Sequence, residues 1–400
     1  MTAAALLMLV VTAGCGAGTP TTAPTWVPQP DYQGNNDPNP QLPVPALPAP
    51  PSSGSGQPGQ PGGSGSPGSP APSPGGSTPA ADPNVVATGL NQPTGLTVLP
   101  NGSALVAERT TGKIFRVQPV AGQRAVLVQT LAGVAGTGDG GLLDLAISPT
   151  FDQDGLIYAY LSTATDNRVV HFSLGSKPSV VVSGIPRGRT GNAGRIAFDA
   201  TGALLTGTGD AGRPALAAST TSLAGKILRT SDIGRPLPGN LAARSPVYAS
   251  GLHTVDGLCV DARSGVRIAV SAGSPDEVNV LKAGADYGWP RGGPTSVPPA
   301  RTLPPTSTGG GGCALAAGRL FVATSTGTSL AISDVSQSAS LGTFSTSLRG
   351  KYGRLATVVA GADGSLWLTT RNRDGHGKPT KDDDRVIRIS AADSSTSPVI

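Results

Sequence analysis

From about residue 83 onward, apolar and polar positions alternate two by two in short runs, and no stretch sustains a helical period. One unit recurs: a small or turn residue, a glycine, then an alternating apolar strand. It starts at Asn101, Asp154, Thr201, Ser264, Ala317 and Asp363, at intervals of 53, 47, 63, 53 and 46 residues. Each copy is followed by a second short apolar run, at 113–117, 168–172, 226–229, 277–280, 329–332 and 385–389. Two-residue periodicity after X-Gly turns predicts antiparallel hairpins. Roughly 50 residues per unit is the size of a four-stranded propeller blade. The expectation is an all-β, six-bladed β-propeller over residues 83–400, closed into a ring that leaves only short, protected strand edges. An elongated solenoid, the alternative repeat fold, has repeats about half this length or less.

The chain before residue 83 breaks this pattern. Residues 16–82 hold nearly half of the 38 prolines, with glycine and serine filling most of the rest. So few apolar side chains cannot offset the entropy of folding, which predicts a disordered tether, part polyproline II and part flexible coil. Ahead of it, MTAAALLMLVVTAGC carries an apolar run too short to cross a bilayer as a helix but suited to an export signal. Thr12-Ala-Gly-Cys15 resembles a bacterial lipobox. Residues 1–15 are therefore expected to be a lipoprotein signal peptide, with Cys15 lipidated and the protein held on the outer face of the cell membrane.

Composition adds little except exclusions. A net charge of +5 with 13% charged residues, and no basic cluster interleaved with aromatics, argues against nucleic acid as a partner. Cys259 and Cys313 are the remaining cysteines; in an exported protein either a bridge between them or two buried thiols fits.

A propeller builds its sites from loops of several blades around one end of the channel. Four segments carry a resemblance: GDGGLLDLAISPTFDQDGLIYAYLS, GDAGRPALAASTTSLAGKILR, PDEVNVLKAGADYGWP and GRLATVVAGADGSLWLTT. In this order they resemble the quinoprotein glucose/sorbosone dehydrogenases, six-bladed propellers; TATDNRVV and GDAGRPALAA are similar to the LppZ-type lipoproteins of actinobacteria. The resemblance implies pyrroloquinoline quinone (PQQ) with calcium over the channel, and a histidine as general base for oxidising the C1 hydroxyl of aldoses.

Carried over position by position, the family's base falls on Gly191, four residues before Arg195 in Arg187-Gly-Arg-Thr-Gly-Asn-Ala-Gly-Arg195. The quinone-facing His-Arg-Asn-Pro-Gln segment becomes Leu252-His253-Thr254-Val255-Asp256, the expected lysine falls near Thr326, and a late arginine pair survives as Arg354 with Ala356. A glutamine of the first loop matches Asp139. A PQQ site needs cations and donors to replace the hydration of three carboxylates. Arg354 and Arg195 are its candidate cofactor ligands, and His253, Asp139 and Asp256 the candidate catalytic groups. Asp276 and Glu277 are candidate calcium ligands, since that ion takes hard oxygen donors.

Three functions follow. The leading expectation is a degenerate site on a propeller that binds an envelope glycan, sugar or protein. The others are an active PQQ-dependent aldose dehydrogenase with a rebuilt site, and a calcium-dependent hydrolase or lactonase using Asp139, Asp210 or Asp256. Asp210 is otherwise a turn cap, Trp289 a packing residue between blades, and Arg373–Arg385 a mobile polar loop.

Overall fold

The computed structural model describes residues 82–392. The expected signal, the lipidated Cys15 and the tether lie outside them. A short strand β1 (Val85–Ala87) precedes the first blade, β2–β5 (Pro93–Val98, Ala104–Glu108, Lys113–Val117, Val126–Thr130). The second is β6–β9 (Leu142–Ile147, Ile157–Ser162, Asn167–Phe172, Ser179–Ile185) and the third β10–β13 (Gly194–Phe198, Leu204–Thr208, Ile227–Thr230, Val247–Ala249). The fourth is β14–β17 (Val255–Val260, Arg267–Ser271, Glu277–Val280, Arg301–Thr302) and the fifth β18–β21 (Gly310–Ala316, Arg319–Thr324, Ser329–Asp334, Ser345–Ser347). Strands β22–β24 (Leu355–Ala360, Ser365–Thr370, Val386–Ser390) take β1 as their outermost partner, so the first strand of the chain closes the sixth blade and the ring.

Every sheet is four-stranded and antiparallel, and five of them run in the order of their strands along the chain, the sixth taking β1 beside β24. Six hydrophobic clusters, one between each pair of neighbouring blades, make up the core; Leu105 and Ile114 of the first blade, for example, pack against Leu142 and Ile157 of the second. Each fully buried leucine or isoleucine contributes about 1.5–3 kcal/mol. Cys259 of β14 and Cys313 of β18 are joined, with Cα atoms 5.7 Å apart, linking the inner strands of the fourth and fifth blades.

The inner strands β2, β6, β10, β14, β18 and β22 line the channel. Five of them carry a bulge near their first residues, at Thr94, Leu143, Asp256, Gly311-Gly312 and Ala356; β10 pairs with β11 without one. Bulges bend a strand and re-aim its groups, which is why they gather beside sites.

Candidate functional site at the channel mouth

At the end of the channel where the inner strands begin, a cavity of about 840 Å³ is walled by Arg109, Arg189, Arg195, Arg354 and Arg371 against Asp139, Asp256 and Asp374, with His376 at the wall too. Five arginines against three aspartates leave an excess of positive charge. One arginine of the family's cationic set survives position by position; the folded chain collects its cations from other places.

The 187–195 loop forms one wall, and its backbone is locked. Asp139 accepts hydrogen bonds from the amide of Gly191 at 2.7 Å, from that of Asn192 at 3.4 Å and from the Asn192 side chain. Asn192 also ties the loop to itself, accepting from Gly188 at 3.0 Å and donating to its carbonyl at 2.9 Å. Asp139, expected as a catalytic group, therefore has its oxygens engaged in holding this loop. Gly191 has φ +68°, and a Cβ placed there would lie 2.6 Å from both Asp210 Oδ1 and the Gly212 nitrogen. No side chain fits at the family's base position without displacing its neighbours.

Arg195 forms the floor. Its guanidinium donates to the carbonyls of Asp256 at 2.6 Å, Thr94 at 3.3 Å and Ala356 at 3.5 Å, all three at bulges, and lies 3.6 Å from Asp144. Four inner strands thus meet on one cation. Arg195 also borders a second cavity of about 310 Å³ further down the channel, so it separates the two. Expected as a cofactor ligand, it is committed to the scaffold, as is Arg109, which is bound to Gln92 and to the carbonyls of Gly138 and Gly140. Burial pushes Asp144 up to about 6 and Asp256 up to about 6, with Arg195 opposing both.

The available charge sits opposite. Arg354 donates to Asp374 at 3.1 and 2.9 Å. Arg371 shares that carboxylate at 3.7 Å and donates to Ser325 at 2.8 Å, while its buried Nε has no hydrogen-bond partner. Arg354 and Arg371 thus share Asp374, and Asp256 faces Arg371 as well. Arg189, exposed on the third wall, makes no side-chain hydrogen bond among the described residues. The Arg373–Arg385 segment, expected to be a mobile polar loop, is instead fastened from below together with the residues just before it. Asp384 is fully buried and accepts from the amides of Gln92 at 3.1 Å and Asn372 at 2.5 Å; buried Asp383 accepts from Asn372 and Arg385, each at 2.8–2.9 Å.

Other expected site residues lie elsewhere. His253 is not part of the mouth: it stacks on Trp289 at 4.2 Å between centroids, in a separate cleft. Asp210 is fully buried, capping the Gly212 amide at 2.8 Å and accepting from Trp289 Nε1 at 3.0 Å, so it does not join Asp139 and Asp256 in one hydrolytic group. Asp276 spends both oxygens on the amides of Gly273, Gly309 and Gly310, whereas Glu277 borders the Trp289 cleft. Neighbouring residues at the start of a strand face opposite ways, which separates the expected calcium pair. Among the described residues no group of three or more His, Cys, Asp or Glu side chains could hold a metal ion.

A six-bladed β-propeller is the fold that the resemblance to quinoprotein sugar dehydrogenases implied, and the comparison with known proteins agrees. Residues 90–295 match the glucose/sorbosone dehydrogenase family model, and the chain belongs to that family. Aldose sugar dehydrogenase YliI of Escherichia coli is 27% identical over 221 residues, covering 50% of this chain and 59% of the relative. Quinoprotein glucose dehydrogenase B of Acinetobacter calcoaceticus is 26% identical, covering 52% of each. The chain thus spans between half and three-fifths of the length of these relatives. Among solved structures, the PQQ-bound aldose sugar dehydrogenase of Streptomyces coelicolor is similar at TM-score 0.72 and 37% identity, covering 76% of this chain and 95% of that one. A putative glucose dehydrogenase of Thermus thermophilus follows at TM-score 0.69 and 35% identity, covering 76% and 98%.

Proposed function

We propose that this protein is a lipid-anchored, extracytoplasmic member of the family whose channel mouth binds a planar polycarboxylate of the PQQ type without performing the family's histidine-based sugar oxidation, and that it acts by ligand binding at the cell envelope. The carrying observation is a pair of opposites on one cavity: five arginines against three aspartates, with Arg189 making no side-chain hydrogen bond among the described residues, and no room for a proton acceptor at position 191.

The excess of arginines at the mouth favours the cofactor's class. A cavity of about 840 Å³ is ample for a rigid tricyclic ligand, within the range ordinary cofactor sites occupy. Arg371, Arg354 and Arg189 would hold its carboxylates through charge-assisted hydrogen bonds, Arg189 with no side-chain hydrogen bond to give up among the described residues. When bound, PQQ would supply a two-electron acceptor. What the chain lacks is the group that removes the substrate's proton, a deficit of roughly a hundredfold or more in rate.

His376, on the same cavity, favours a second reading, an active aldose dehydrogenase with its base supplied from the sixth blade. The anchor rests on the order of apolar run, Cys15 and tether; labelled palmitate incorporation that persists in Cys15→Ala would remove it.

Calorimetric titration of the full chain with PQQ, with and without calcium, followed by dye reduction over several aldoses, tests the reading. Saturable binding without sugar-dependent turnover is expected. Turnover abolished by His376→Ala would establish the second reading instead, and absence of binding would refute the charge argument.

A further inference from the structure

Beside the mouth, in the loops of the fourth blade and against Asp210 that follows β11 of the third, lies the cleft that received His253. Its volume is about 520 Å³ and its walls include Trp289, Tyr287, His253 and Glu277, with the hydroxyls of Ser274 and Ser296. It lies on the same rim as the mouth: Asp210, which binds Trp289, comes two residues after Thr208, and Thr208 pairs with the mouth residue Gly194. The chemistry of the two cavities is opposite. The mouth is walled by five arginines and no phenylalanine, tyrosine or tryptophan, the cleft by aromatics and prolines, one carboxylate and no lysine or arginine.

The aromatic wall is fixed in place. Trp289 Nε1 donates to the fully buried Asp210 at 3.0 Å, and the His253 ring stacks on the indole at 4.2 Å with 23° between planes. His253 Nε2 stands 3.7 Å from the same carboxylate, beyond hydrogen-bonding distance, so Asp210 fixes the indole and the imidazole is held by stacking on it. Tyr287 is pinned by donating to the Val280 carbonyl at 2.7 Å. Trp289 nevertheless stays partly exposed, whereas Trp367, the other described tryptophan, is buried in the core. A rigid, amphipathic ring left half in water, beside hydroxyls and a carboxylate whose one hydrogen bond is a 3.4 Å contact from Asn279, is a binding platform already ordered.

We infer that this cleft binds the pyranose units of a neutral oligosaccharide, with the C–H faces of the sugar rings against the Trp289 platform and their hydroxyls on Glu277, Ser274 and Ser296. Anionic sugars are disfavoured, because Glu277 would repel them and no cation in the wall would offset it. The inference does not depend on what the mouth binds; it would give the ring a handhold on envelope glycan next to a cofactor-sized cavity.

The test is calorimetry and saturation-transfer NMR on the full chain with cellopentaose and maltopentaose. Saturable binding of at least one is expected, weakened about tenfold or more by Trp289→Ala. Because that change also frees Asp210, Gly293→Trp provides a second test: Gly293 borders the cleft and a Cβ there meets only Ser296 Oγ at 3.5 Å, so the new ring fills the cleft from an exposed loop. Loss of oligosaccharide binding in Gly293→Trp, with PQQ titration and melting temperature unchanged, supports the inference. Failure of both sugars to bind, or binding that survives Gly293→Trp, overturns it.

Discussion

Two loops face each other across the channel mouth, and they divide what relatives keep together. The 187–195 loop stands where the family's base belongs, yet it offers a glycine at left-handed φ, sealed by Asp139 and backed by Asp210. The 371–385 loop stands where the transferred motif expects nothing, and it brings Arg371, Asp374 and His376 to the cavity. On the proposed reading, one has the position without the chemistry, and the other brings charged groups without a recognisable motif. Charge can be supplied from any side of a ring-shaped mouth, because a carboxylate responds to the sum of nearby cations. Proton abstraction needs one group within hydrogen-bonding reach of one atom, so it cannot be redistributed in the same way.

The largest effect that sharpens this contrast is expected from Gly191→His. A left-handed φ costs a side-chain-bearing residue about 1–2 kcal/mol, and displacing the Asp210 and Gly212 contacts adds about as much again. Urea unfolding should show a loss of about 2–4 kcal/mol with no gain of sugar-dependent dye reduction; a stable, active variant would mean that the loop is a dormant active site. Next come the two aspartates that fasten the loops. Asp139→Ala and Asp384→Ala each leave several donors unpaired and should cost about 1–3 kcal/mol. Hydrogen exchange should quicken in 187–195 for the first and in 371–385 for the second, and only the second should weaken PQQ binding.

The smallest effect concerns pH. Asp256 sits at about 6 through burial, above its unfolded value. It is therefore charged above that pH, opposing an anionic ligand, and neutral below it. PQQ affinity should rise severalfold between about pH 7.5 and about pH 5, and Asp256→Asn should flatten the dependence. By the same sign, the stability contributed by protonating Asp144 and Asp256 is complete below the unfolded carboxylate value of about 4 and lost as pH rises through about 6. Melting temperature should carry that decline in the wild type and lose most of it in the double asparagine variant.

The second and third strands of every blade are legible in the chain because turn, glycine and alternation coincide there; β3 and β4, or β23 and β24, follow those runs within a residue or two. The inner strands are harder. β18 opens Gly310-Gly311-Gly312, which reads as a loop, but a Cβ at Gly311 or Gly312 would collide with the Ala356 carbonyl or the Thr357 hydroxyl of the neighbouring blade. Glycine there reflects crowding around the channel, not a turn. At the site, Arg354 and Asp256 can be found by matching the family's segments, whereas Arg109 and Arg371 cannot, since they occupy no family motif. A signal for them does exist: each is the first residue after the second strand of its blade, the place where that strand reaches the mouth, and Ser325 after β19 is another. His253 shows the opposite failure: its adjacency to Asp256 in sequence suggests adjacency in the site, while the rim between two blades separates them.

The claim that the mouth's usable charge lies in Arg354 and Arg371 is tested most directly by measuring PQQ affinity in the full chain and in the Arg354→Gln/Arg371→Gln variant. Removing two charge-assisted contacts, each worth about 1.5–3 kcal/mol, should weaken binding about a hundredfold or more while leaving the melting temperature within a few degrees. Affinity unchanged in a folded variant would contradict the account.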